Sequence, residues 1–187
     1  MKWDTVHDSR AAFLACMQAF CAPGTPIESP AVQGLSDHPE LARAGAVLLA
    51  LLDRGLTLGA GGGEAALRLA GIVSESTGAD PAGADIADWV LVHGPAATAI
   101  TQARRGTRRT PETGATVVVA TSAEARPITL SGPGLRQRTT VYLPLDALAL
   151  HAFAAANAAQ PTGVDVLIAT PECLIGMPRS VTVHGVG

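Results

Sequence analysis

Pro161-Thr162-Gly163-Val164-Asp165-Val166-Leu167-Ile168-Ala169, running on to Met177-Pro178-Arg179-Ser180-Val181-Thr182-Val183, sets three apolar runs close together near the end of the chain. Val164 to Ala169 is β-branched and predicts a strand, Pro171-Glu172 predicts a turn, and Leu174 to Met177 and Ser180 to His184 predict two further strands. One acid, Asp165, lies inside the first run, and one cation, Arg179, lies between the other two. A charge among apolar strand residues is costly unless it is paired or used. Asp165 and Arg179 are therefore expected either as a structural ion pair or as two edge positions.

Working towards the N-terminus, a helix is expected from about Asp146 to Asn157, with strands at Thr116 to Ala120, Ile128 to Leu130 and Thr140 to Leu143. Trp89-Val90-Leu91-Val92 reads as a buried strand and Ala97 to Ala103 as a short helix. The first third is mostly helical. Phe13, Cys16, Met17 and Phe20 fall at helical spacing, and Pro23-Gly24 ends that helix. Asp37 followed by Glu40 predicts a capping box, with Pro39 in the first turn. The helix it opens carries Leu41, Ala44, Leu48, Leu51 and Leu52 and stops at Gly55. Leu56 to Leu58 predicts a short strand and Glu64 to Ser76 a third helix. Helices early and strands late, with some alternation and no repeat, predict a single α/β domain over residues 1–187: a mixed β-sheet flanked by helices.

Net charge is −3, and 16% of residues are charged against roughly a quarter in ordinary domains. So little charge suggests that another subunit covers part of the surface. The acidic balance and 3% aromatic content argue against nucleic-acid binding. No 18-residue apolar stretch predicts a membrane span. Asp4 and Asp8 near the start do not fit a signal peptide, and Cys16, Cys21 and Cys173 do not pair off evenly. A cytoplasmic protein with reduced thiols is the expectation.

Lys2 is the only lysine, in a segment expected to be mobile, so neither an interior Schiff-base lysine nor a Gly-Lys-Ser/Thr phosphate loop is present. Gly59-Ala60-Gly61-Gly62-Gly63 is expected as a flexible loop, because Glu64 stands where a dinucleotide fingerprint needs Gly or Ala. His7, His38, His93, His151 and His184 are scattered without ligand spacing, so no metal is expected. Ser131 lacks a nucleophile elbow. No catalytic residue and no cofactor are expected. Arg104-Arg105-Gly106-Thr107-Arg108-Arg109 puts four guanidinium groups within one Gly-containing loop. Arg104, Arg105, Arg108 and Arg109 are candidates for contact with a partner or with an anion, such as ATP or a phosphonate ester.

The closing segment, Pro111-Glu112-Thr113-Gly114-Ala115-Thr116 before a Val run, Leu130-Ser131-Gly132-Pro133-Gly134, and a Phe-containing helix ending in Ala22-Pro23-Gly24-Thr25 occur in the order of one family. Nearly the whole chain resembles PhnH, the H subunit of the carbon–phosphorus lyase system for phosphonate breakdown. The chain departs from the family pattern at Phe13-Leu14, Cys21, Thr162 and Ser180-Val181. The resemblance implies a fold like the large domain of pyridoxal-phosphate-dependent transferases, without that cofactor. It further implies participation, with other lyase subunits, in a reaction in which a phosphonate displaces adenine from ATP to give a ribose 1-phosphonate 5-triphosphate. The expected role is that of a non-catalytic scaffold. Partners would be the G, I and J subunits, mainly the I subunit, and the isolated chain would be a homodimer.

Overall fold

The computed structural model describes residues 2–185. The elements are α1 (His7–Cys21), α2 (Pro39–Leu51), β1 (Thr57–Gly61), α3 (Glu64–Thr77), β2 (Asp80–Pro81), β3 (Trp89–His93), α4 (Ala97–Gln102), β4 (Thr116–Ala120), β5 (Arg126–Ser131), β6 (Thr139–Leu143), α5 (Ala147–Ala156), β7 (Asp165–Ala169), β8 (Leu174–Met177) and β9 (Thr182–His184). Six strands form a mixed sheet in the order β2-β1-β3-β4-β7-β8, parallel except for β8. A separate three-stranded antiparallel sheet has the order β6-β5-β9. The architecture is α/β, a mixed sheet flanked by helices. The three closing strands do not stay together, however: β7 and β8 join the main sheet and β9 joins the small one.

The central strands are apolar on both faces because both faces are covered. Val90, Val92, Val117, Val119, Val166 and Ile168 pack towards α4, α5 and the small sheet. Leu91, Val118 and Leu167 point the other way, towards α1, α2 and α3. Alternation within one continuous run therefore feeds two cores. Helix α2 is buried from Glu40 to Leu48, which takes up much of the chain's apolar excess.

Of the four residues at helical spacing on α1, Cys16 is buried and Phe20 packs against the core, whereas Phe13 and Met17 face outward. Ala12, Ala15, Cys16 and Ala19 are buried, while Phe13, Leu14 and Met17 are exposed. Its small-residue face packs directly on β8, where Gly176 admits the backbone of Ala19 and Phe20. The segment that follows hydrogen-bonds along β8, Gly24 N to Gly176 O (2.9 Å) and Ile27 N to Leu174 O (2.8 Å), so this edge is covered. Lys2 is not loose either: its N–H donates to Gln33 O at 3.0 Å.

The capping box is absent. His38 precedes α2 without a side-chain cap, its N–H donates to Ser36 Oγ, and Glu40 turns inward. Arg43, 7% exposed, is a structural tie: it donates to Thr170 O (2.9 Å), Pro171 O (2.8 Å) and Ser29. Burial lowers its pKa, with Cys173 and Glu172 opposing the shift. Cys16, Cys21 and Cys173 are free thiols. No helix among the described residues is long and apolar enough to cross a membrane.

Candidate functional site at the carboxyl edge of the sheet

Strands β1 and β3 are neighbours, but the chain leaves them on opposite faces. From β1 it enters α3, on the α1–α2 side, and from β3 it enters α4, on the α5 side. The carboxyl ends of two such strands frame a crevice, the place where open α/β sheets bind ligands. Here those ends are Gly61 and His93. The glycine run is not a flexible loop: Gly59 to Gly61 are strand, paired with β3, and Gly62 and Gly63 make the turn into α3. Gly62 has φ +85° and passes so close to His93 that a Cβ would overlap the His93 carbonyl and lie 2.7 Å from its N. Only glycine fits there.

Two of the five histidines meet in this crevice. His93 Nε2 is 3.0 Å from Glu40 Oε1, and His38 Nδ1 is 3.6 Å from the same oxygen. The two rings pack edge to face with centroids 4.8 Å apart. Glu40 is buried, His93 partly buried and His38 half exposed. Sequence spacing leaves the five histidines scattered, and the fold brings these two together. Glu40 and His93 are 53 positions apart, so no local spacing reports the contact. A signal was present all the same: Glu40 is four residues before Ala44 and eight before Leu48, at the head of an apolar helix stripe.

The arginine loop is divided. Arg104 turns inward, donating to Thr113 O (2.6 Å), Ile86 O (3.1 Å) and Asp88. Arg105, Arg108 and Arg109 are exposed. Asp165 and Arg179 are brought together: Nε donates to Oδ2 at 3.0 Å and the Arg179 backbone N–H to Oδ1 at 2.7 Å. Arg179 also donates to Pro111 O at 2.6 Å. Both arginines thus grip the Pro111–Gly114 loop at the amino edge of the sheet, away from the histidines. A cleft of about 560 Å³ opens beside them, lined by Glu112, Gln160, Asp165 and Arg179.

Asp88 accepts from Thr57 N (2.9 Å) and Thr57 Oγ1 (2.6 Å) as well as from Arg104. Burial pushes its pKa up, but the Thr57 and Arg104 bonds outweigh it and hold the carboxyl below the ordinary value. A depressed folded-state pKa stabilises above the unfolded value, about 3.9, and that contribution is lost as pH falls through the folded value. Asp88→Asn is expected to cost about 1.5 kcal/mol at pH 7. Urea titrations at pH 7 and pH 3 should show the deficit shrinking in acid. A deficit equal at both pH values would contradict the role of the charge.

Ser131 Oγ lies 2.7 Å from His184 Nε2 across the small sheet, but among the described residues no acid orients that imidazole. Residues 2–184 match the model of a family described as bacterial phosphonate metabolism protein (PhnH). No curated protein matches the chain.

Proposed function

The chain belongs to the PhnH family of bacterial phosphonate metabolism proteins, and from that premise we propose that it is the H subunit of a carbon–phosphorus lyase. Its contribution would be to the step in which a phosphonate takes the place of adenine on the ribose of ATP, yielding a ribose 1-phosphonate 5-triphosphate. The proposed role is that of a scaffold contacting the G, I and J subunits, mainly the I subunit. The family match carries this reading. Two structural observations support the scaffold form of it. Arg104 and Arg179 are taken up by internal carboxylates and carbonyls, and Phe13, Leu14 and Met17 leave apolar surface on α1.

Light scattering after size exclusion, with the chain alone and mixed with the G, I and J subunits, tests the proposal. The expected result is a dimer alone and one co-eluting assembly in the mixture. A chain that elutes unchanged beside those subunits would overturn the scaffold role.

Three exposed guanidinium groups within five residues favour a second reading, an anion site for ATP or a phosphonate ester. Replacing Arg105, Arg108 and Arg109 by Ala separates the two. Loss of measured ATP affinity with assembly intact supports the anion site, and loss of assembly with no prior affinity supports the interface.

A further inference from the structure

Glu40 is 4% exposed, and burial of a carboxylate is costly unless positive charge meets it. Among the described residues, its ion-pairing neighbours are the imidazoles of His93 and His38, which are positive only when protonated. Two imidazole nitrogens and one carboxylate oxygen form the donor set of an open zinc site. The spacing around the carboxylate oxygen suits it as well. Bonds of about 2.0–2.1 Å in a tetrahedral site put donor atoms about 3.3 Å apart. Glu40 Oε1 lies 3.0 and 3.6 Å from the two nitrogens, and all three donor atoms fall within 4.8 Å of one another.

We propose that His38, Glu40 and His93 bind one divalent transition-metal ion of the zinc class. The donors come from the residue before α2, the first turn of α2 and the carboxyl end of β3. The ion would therefore join α2 to the sheet at the point where the strand connections change face. Imidazole donors favour zinc, nickel, copper or iron over magnesium or calcium. Three protein donors leave a position for water or an oxyanion. The half-exposed His38 borders a cleft of about 310 Å³, shared with Gly34, Ser36, Asp37 and Arg68, which supplies the approach. The proposal does not depend on the scaffold reading.

Chelator-stripped, full-length protein titrated calorimetrically with zinc chloride should take up one ion per chain. Cobalt(II) in its place should give the visible absorption of a four- or five-coordinate ion. His38→Ala, a half-exposed position, should bind at least about tenfold more weakly and lose the cobalt bands. Its metal-free melting temperature should stay near that of the wild type. His7→Ala, at an exposed histidine paired with Asp4, should bind as the wild type does. Glu40→Gln provides the second ligand test and should also weaken uptake at least about tenfold. Absence of stoichiometric uptake by the wild-type protein would overturn the proposal. Undiminished binding in both His38→Ala and Glu40→Gln would overturn it too.

Discussion

Arg179→Ala is expected to destabilise the protein by about 3–5 kcal/mol, the range for breaking a largely buried ion pair from one side. Arg179 and Asp165 side chains are 17% and 21% exposed. The guanidinium serves Asp165, Pro111 O and, at 3.3 Å, Gly114 O. Its loss leaves Asp165 Oδ2 without its donors and a mostly buried carboxylate without its countercharge, and it removes the side-chain donor from two loop carbonyls. Exchanging the two charges, Asp165→Arg with Arg179→Asp, restores opposite signs and is expected not to restore stability. The exchanged carboxylate has nothing to donate to Pro111 and Gly114, and an arginine at position 165 has no oxygen for the backbone N–H of residue 179. Chemical denaturation of both variants is the measurement. A double variant as stable as wild type would reduce the contact to charge attraction. A single variant within about 1 kcal/mol of wild type would mean that solvent screens the pair.

Gly176→Val is expected to cost about 3 kcal/mol or more by lifting α1 from the sheet. Valine suits a strand in itself, so the penalty arises from α1 alone. Any Cβ at position 176 would overlap the Ala19 carbonyl and come 2.9 Å from Phe20 N. These neighbours are backbone, and no rotamer change relieves them. Cys16 reports the movement: buried on α1, its thiol is pushed up to about 12 by burial. In the wild type at pH 8 it should resist a thiol reagent while the exposed Cys21 reacts. In the variant Cys16 should react under native conditions, with a lowered melting temperature. A protected Cys16 and an unchanged melt would show slack between α1 and β8.

Elements were legible wherever the hydrophobic period was strong. The runs Val117 to Ala120 and Val166 to Ala169 carry enough β-branched residues to be strands in almost any setting, and both are central. The orientation of α1 was not legible, because large apolar side chains at helical spacing resemble a core face. What decides the matter is the close approach to β8, which takes Ala15, Cys16 and Ala19 and leaves Phe13 and Met17 outside. The Asp37–Glu40 spacing misleads for a related reason. A glutamate three residues after a cap reaches back only if nothing better is within range, and His93 is within range.

The ordered motifs carried the family resemblance, while composition and local period determined the α/β class and the need for covered sheet faces. Tertiary structure alone decided what the charged and polar side chains do. Arg104 and Asp88 are 16 positions apart, Asp165 and Arg179 are 14 apart, and Glu40 and His93 are 53 apart. Each pair meets because the fold packs a helix, a loop or a neighbouring strand end against the end of a sheet strand. Electrostatic and ligand chemistry depends on distance in space, and distance along the chain does not report it until the strand order is known.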